Sequence, residues 1–204
     1  MRFNFPAKLI VFLFVSLSLI IATSYVPALA ADLSIKTRTK FYSFRAKKFR
    51  QVSRQMLRHG PNFGRNGRRV WAKAHREYDW KLTYTKSRGK CAVKHAKVRM
   101  KITYTLPRLE NEKRVSRRFR SKWKRVFRTL HRHEQTHGRN YKRLAKRLTR
   151  ELRKLRPQRN CFALRRAAKK LDDKLHKWDI RRNRRFESGE RARFTRLQRR
   201  IERG

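Results

Sequence analysis

Between Pro107 and Pro157 the chain holds a single glycine, Gly138, and its apolar residues recur at spacings of three and four. Leu130, His133, His137, Tyr141, Leu144, Leu148, Leu152 and Leu155 fall on one face of a helix, with Arg and Lys on the others. A helix running to about Leu155, broken by Pro157, is therefore the element around which the fold must be arranged. Two histidines interrupt its inward stripe, and His133-Glu134-Gln135-Thr136-His137 spells H-E-x-x-H. Residues four apart share a helix face, so His133 and His137 can offer two imidazole nitrogens to one metal ion. Glu134 lies beside the first of them, where it can take a proton from a metal-activated water. Gly138 costs a helix about 1 kcal/mol against alanine, which points to a close approach by another element.

Charge sets the next constraint. Arg2 and Lys8 precede an apolar run from Leu9 to about Ala22, followed by Pro27-Ala28-Leu29-Ala30. This is the pattern of a secretory signal peptide cleaved after Ala30. The apolar run is shorter than the roughly 20 residues a bilayer-spanning helix needs. Removing residues 1–30 leaves 174 of the 204 residues and lowers the net charge from +48 to +46. That is one domain with a modest core, and a body so charged repels itself unless anions accompany it. Behind a signal peptide, in the periplasm or outside the cell, those anions are envelope polymers, lipid head groups or acidic proteins. Nucleic acid is disfavoured by the export signal and by the lack of any recognition motif.

In an exported chain the isolated pair Cys91 and Cys161 reads as a disulfide. It closes a loop of about 70 residues and contributes about 3–4 kcal/mol on the chain-entropy account. Alternation predicts a strand over Ser34–Phe44, a helix over Phe44–Leu57, and a loop at Gly60–Gly67. Strands over Tyr78–Tyr84 and Ala92–Leu106 flank the turn Ser87-Arg88-Gly89-Lys90 and form an antiparallel hairpin, with Pro107 as its stop. A second helical stretch covers Cys161–Ile180. The order strand, helix, hairpin, helices defines an α+β domain over residues 31–185, followed by a basic helical tail over 186–204. In that tail Glu190, Phe194, Leu197 and Ile201 share a face. A solvated helix end packed by its apolar residues is preferred there to a membrane-docking surface.

Taken together, several short motifs resemble a bacterial family of predicted secreted zinc-dependent proteases whose domain is classed as of unknown function. They are Thr39-Lys40-Phe41-Tyr42, Gly60-Pro61, Asp79-Trp80, Cys91, Thr105-Leu106-Pro107, Trp123, the H-E-x-x-H itself, Cys161 and Trp178-Asp179. The resemblance implies a zincin-like fold, a small antiparallel sheet followed by a helical half carrying H-E-x-x-H, and zinc-dependent peptide hydrolysis. The chain departs from the family where Trp178-Asp179 is followed by Ile180-Arg181-Arg182-Asn183-Arg184-Arg185, with no histidine.

A catalytic zinc takes three protein ligands and keeps one position open. His131 points away from His133 on a regular helix. Glu151, fourteen residues along the same helix from His137, is about 21 Å away. His176 and Asp179 remain, with Asp172 and Asp173 behind them. Imidazole chemistry favours His176, while the resemblance favours Asp179, which is taken as the third ligand. The expected function is zinc-dependent hydrolysis of peptide or protein substrates, acidic ones by electrostatics, with Glu134 as general base. The alternative is a non-catalytic cationic envelope protein that binds anionic polymers or lipids and keeps a relic or structural metal site.

Overall fold

The computed structural model describes residues 33–63 and 67–204, so the signal-peptide reading of residues 1–30 lies outside the described residues. Strand β1 (Leu33–Phe44) leads through a 3-10 turn to helix α1 (Val52–His59) and a two-residue ribbon, β2 (Asn62–Phe63) with β3 (Arg68–Arg69). The long hairpin β4 (Lys73–Ser87) and β5 (Lys90–Leu109) follows, then helices α2 (Arg117–Arg153) and α3 (Cys161–Arg203). A mixed α+β architecture with a small sheet ahead of a helical half is what the residue order predicts. Among the described residues no helix is long and apolar enough to cross a membrane.

The sheet order is β1-β5-β4. The hairpin is antiparallel, Tyr78 facing Met100, and its turn places Arg88 and Gly89 at φ 48° and 70°. Glycine takes that backbone without a Cβ penalty. β1 instead runs parallel to β5, with Ile35 beside Met100 and Tyr42 beside Pro107. The sheet is therefore mixed, because the connection through α1 and β4 is long enough to bring the chain back in the same direction. Pro107 does not end β5, which continues to Leu109. Pairing with β4 has already finished at Lys73–Thr105, so the missing N–H falls where the strand has one neighbour only. The first helix also starts later than the alternation implies, since Phe44 still belongs to β1.

One face of β5 forms the floor of the core. Ala96, Val98, Met100, Ile102, Tyr104 and Leu106 are buried, and the residues between them are mostly exposed. On this floor lie Trp123, Val126, Leu130, Leu144, Leu148 and Leu152 of α2, with Leu175 and Ile201 of α3. Each such aliphatic side chain contributes about 1.5–3 kcal/mol of burial. The Ser116 hydroxyl accepts the Phe119 amide at the start of α2, and the Asn160 side chain accepts the Ala163 amide at the start of α3. Cys91 and Cys161 form the disulfide that ties the root of β5 to α3. α3 does not stop at Ile180. It runs unbroken across the 185/186 boundary, and its fully buried Ile201, together with Phe194 and Leu197, packs on the core. The basic tail is thus a structural part of the domain, held by its apolar stripe.

Candidate metal centre

α2 presents His133 and His137 one turn apart towards α3, and α3 answers with Glu187. His133 Nε2 lies 3.2 Å from His137 Nε2. Glu187 Oε1 lies 3.2 Å from the first and 2.6 Å from the second. Donor atoms bound tetrahedrally at about 2.0–2.1 Å are separated by about 3.3 Å, so these three atoms nearly hold the spacing one ion would impose. They are the one such group of His, Cys, Asp and Glu atoms among the described residues. Two histidines and a glutamate are a donor set used by catalytic zinc sites.

The surroundings are apolar on one side and open on the other. Phe186 lies 4.8 Å from the His133 ring and 5.1 Å from the His137 ring, and Phe194 lies 4.6 Å from His133. The His133 and His137 side chains are 9 % and 10 % exposed, whereas that of Glu187 is 55 % exposed. Access is therefore from the Glu187 side. Hydrogen bonds from both imidazoles hold the Glu187 carboxyl at about 2, well below its usual range. Burial disfavours the charged form of His137, but its bonds to Glu187 and Asn183 outweigh this and raise its pKa.

Glu134 occupies the next face of α2, towards the sheet. It is buried, and that burial raises its pKa, offset in part by His133, His137 and the Ala74 amide. Ala74 opens β4, and its carbonyl accepts the Tyr141 hydroxyl at 3.3 Å. One turn beyond Glu134, Gly138 faces Tyr104 of β5. A Cβ at Gly138 would stand 1.8 Å from the Tyr104 hydroxyl oxygen, so the helix sits this close to the sheet only because residue 138 has no side chain.

The structure brings His133, Glu134 and His137 together and puts Asp179 elsewhere. Asp179 is fully buried, with its Oδ2 2.8 Å from Arg76 Nη1. The contact is a buried ion pair, since the Arg76 side chain is itself only 13 % exposed. His176 turns to the same arginine, its Nδ1 3.2 Å from Arg76 Nη2. Asp172 accepts Tyr78 and Trp80, and Asp173 pairs with Lys169. The third donor atom beside the two imidazoles comes from Glu187, in the segment read as a tail. Carrying the stripe Ile201, Leu197, Phe194, Glu190 back by one turn reaches Glu187 and Phe186, which is the signal that finds them.

A family model described as "Bacterial protein of unknown function (DUF922)" matches residues 39–193, from the middle of β1 through the hairpin and the H-E-x-x-H helix to beyond Glu187. No curated protein and no solved structure matches the chain significantly.

Proposed function

The chain belongs to that bacterial family of unknown function, and we propose that it is an exported, zincin-like zinc peptidase with Glu134 as general base. The observation that carries this reading is the convergence of His133 Nε2, His137 Nε2 and Glu187 Oε1 within 3.2 Å of one another. Three lone-pair donors held this close repel unless a proton or a cation lies between them. A zinc ion there would polarise a peptide carbonyl and acidify an attacking water.

The chain's own residues supply the rest. Glu134 is poised for proton transfer because burial makes its carboxylate more basic than an exposed one. It would accept the proton of the attacking water and return it to the departing amine. That carboxyl faces Ala74 of the edge strand β4, which can take an extended peptide. Phe186 and Phe194 exclude water behind the histidines. The signal-peptide pattern and the disulfide both support export.

The test begins with the metal content of the mature chain, residues 31–204. About one zinc per chain is expected from the donor set, and none in His133→Ala/His137→Ala. Glu134→Gln should keep the metal and abolish peptide turnover; unchanged turnover in that variant would remove Glu134 from the reaction. A second reading has its own observation: 61 Lys and Arg against 13 Asp and Glu. Zinc-independent binding to anionic polymer or lipid that collapses with salt, without turnover, would favour the cationic envelope protein.

A further inference from the structure

His137 uses its second ring nitrogen as well. Its Nδ1 lies 2.8 Å from Asn183 Oδ1, and Asn183 stands one turn before Glu187 on α3. The hydrogen-bond polarity of this contact is fixed from both ends of a short chain. Asn183 Nδ2 is 3.0 Å from the Asp179 backbone carbonyl, which can only accept, so the Asn183 amide must direct its NH2 there and its oxygen to the histidine. At the other end Arg182 Nε, which can only donate, is 2.9 Å from Asn140 Oδ1. The Asn140 NH2 therefore faces Asn183 Oδ1, at 3.1 Å. Every member of the chain is satisfied in one arrangement only, and in it Asn183 Oδ1 demands a proton on His137 Nδ1.

We infer that Asn183 is a positioning residue that holds His137 as the Nδ1–H tautomer, presenting the Nε2 lone pair to the metal beside Glu187. This rests on the metal-site reading above. α3 then provides both the third ligand and the group that orients the second one, four residues apart on one helical face. Asn140 and Arg182 act through Asn183 by fixing the direction of its amide. His133 lacks such a partner. Its Nδ1 is buried without a hydrogen bond, and the nearest carboxylate, Glu190 Oε2, is 3.8 Å away. The two histidines are thus unequal, with His137 pre-oriented.

The experiment is zinc affinity by chelator competition on the mature chain, for wild type, Asn183→Leu, Asn183→Asp and His133→Ala/His137→Ala. Asn183→Leu should weaken zinc by about 10–100-fold, the usual loss when a ligand's orienting partner is removed. Asn183→Asp keeps an acceptor against Nδ1 but loses the donor to the Asp179 carbonyl, and should weaken zinc less than Asn183→Leu does. Long-range 1H–15N spectra of the zinc-loaded wild type should show the His137 proton on Nδ1, a readout that does not depend on any variant folding. Wild-type affinity in Asn183→Leu, equal losses in the Leu and Asp variants, or a proton on Nε2 would each overturn the inference while leaving the metal site standing. A wild type that takes up no zinc overturns the site reading itself, and this one with it.

Discussion

Asp179 and Glu187 sit on the same helix, about 12 Å apart along its axis, and face opposite kinds of partner. Asp179 is sealed in, its carboxylate 2.8 Å from the Arg76 guanidinium. Glu187 is half-exposed and meets two imidazole nitrogens. A guanidinium is always charged and has no lone pair to give. It neutralises its carboxylate permanently and would repel any metal ion brought to it. An imidazole nitrogen can hold a proton or release it and accept a metal in its place. A carboxylate therefore becomes a metal donor when its neighbours are themselves donors, and a buried structural charge when its neighbour is a fixed cation.

The largest expected effect tests this directly. Glu187→Ala should lower zinc affinity by more than the roughly 100-fold that loss of an orienting partner can cost, with little change in stability of the metal-free protein. Asp179→Asn should do the reverse. It leaves Arg76 largely buried and without its counter-charge, at a cost of about 3–5 kcal/mol in urea unfolding, while zinc binding at fixed folded fraction stays as in wild type. Zinc lost in Asp179→Asn and kept in Glu187→Ala would break the comparison outright.

A smaller effect sharpens it. Gly138 follows His137 and lets Tyr104 approach α2, so Gly138→Ala must push the helix off the sheet or displace the tyrosine ring. Overpacking of this kind costs about 1–3 kcal/mol, more than the helix-propensity gain of alanine returns. Zinc affinity should fall with it, because α2 carries both histidines, and the Arg76–Asp179 pair, made between β4 and α3, should persist. Tyr104→Phe in the same background should recover part of the stability by removing the nearest atom. No recovery would place the clash elsewhere.

The two acids also show which parts of the site were legible in the sequence. His133, Glu134 and His137 lie within one and a half turns of a single helix, so local spacing alone brings them together. The strand–helix–hairpin order and the disulfide were equally local or nearly forced, and the close approach expected at Gly138 is the contact with Tyr104. Glu187 is fifty residues beyond His137, and its selection over Asp179 depends on how α3 crosses α2. That crossing is fixed by Leu175, Phe194, Leu197 and Ile201 packing on the core, a tertiary fact that periodicity does not encode. Family position favoured Asp179, whose conspicuous Trp-Asp pair instead serves the ion pair with Arg76. The parallel placement of β1 and the passage of β5 through Pro107 were hidden for the same reason, since both depend on which strand lies alongside.

The smallest effect is in pH, and it falls on Glu187 and His137 in the metal-free protein. Glu187 is lowered from 4.5 to about 2 by its imidazole partners, so its contribution is complete above 4.5 and is lost as pH falls through 2. His137 is raised above 6.5, and its contribution is complete below 6.5 and lost as pH rises through the raised value. The Glu187–His137 contact is therefore fully expressed between 4.5 and 6.5. Metal-free protein should be more stable at pH 5.5 than at pH 8, by less than about 1 kcal/mol because water screens the half-exposed Glu187. Saturating zinc should reverse the slope, since the metal replaces the shared proton and binds more tightly as protons leave. Urea midpoints at the two pH values, with zinc and with chelator, measure it. A zinc-induced gain that is the same at both would mean that ion and proton do not compete for Glu187 and its imidazoles, and that the metal binds elsewhere.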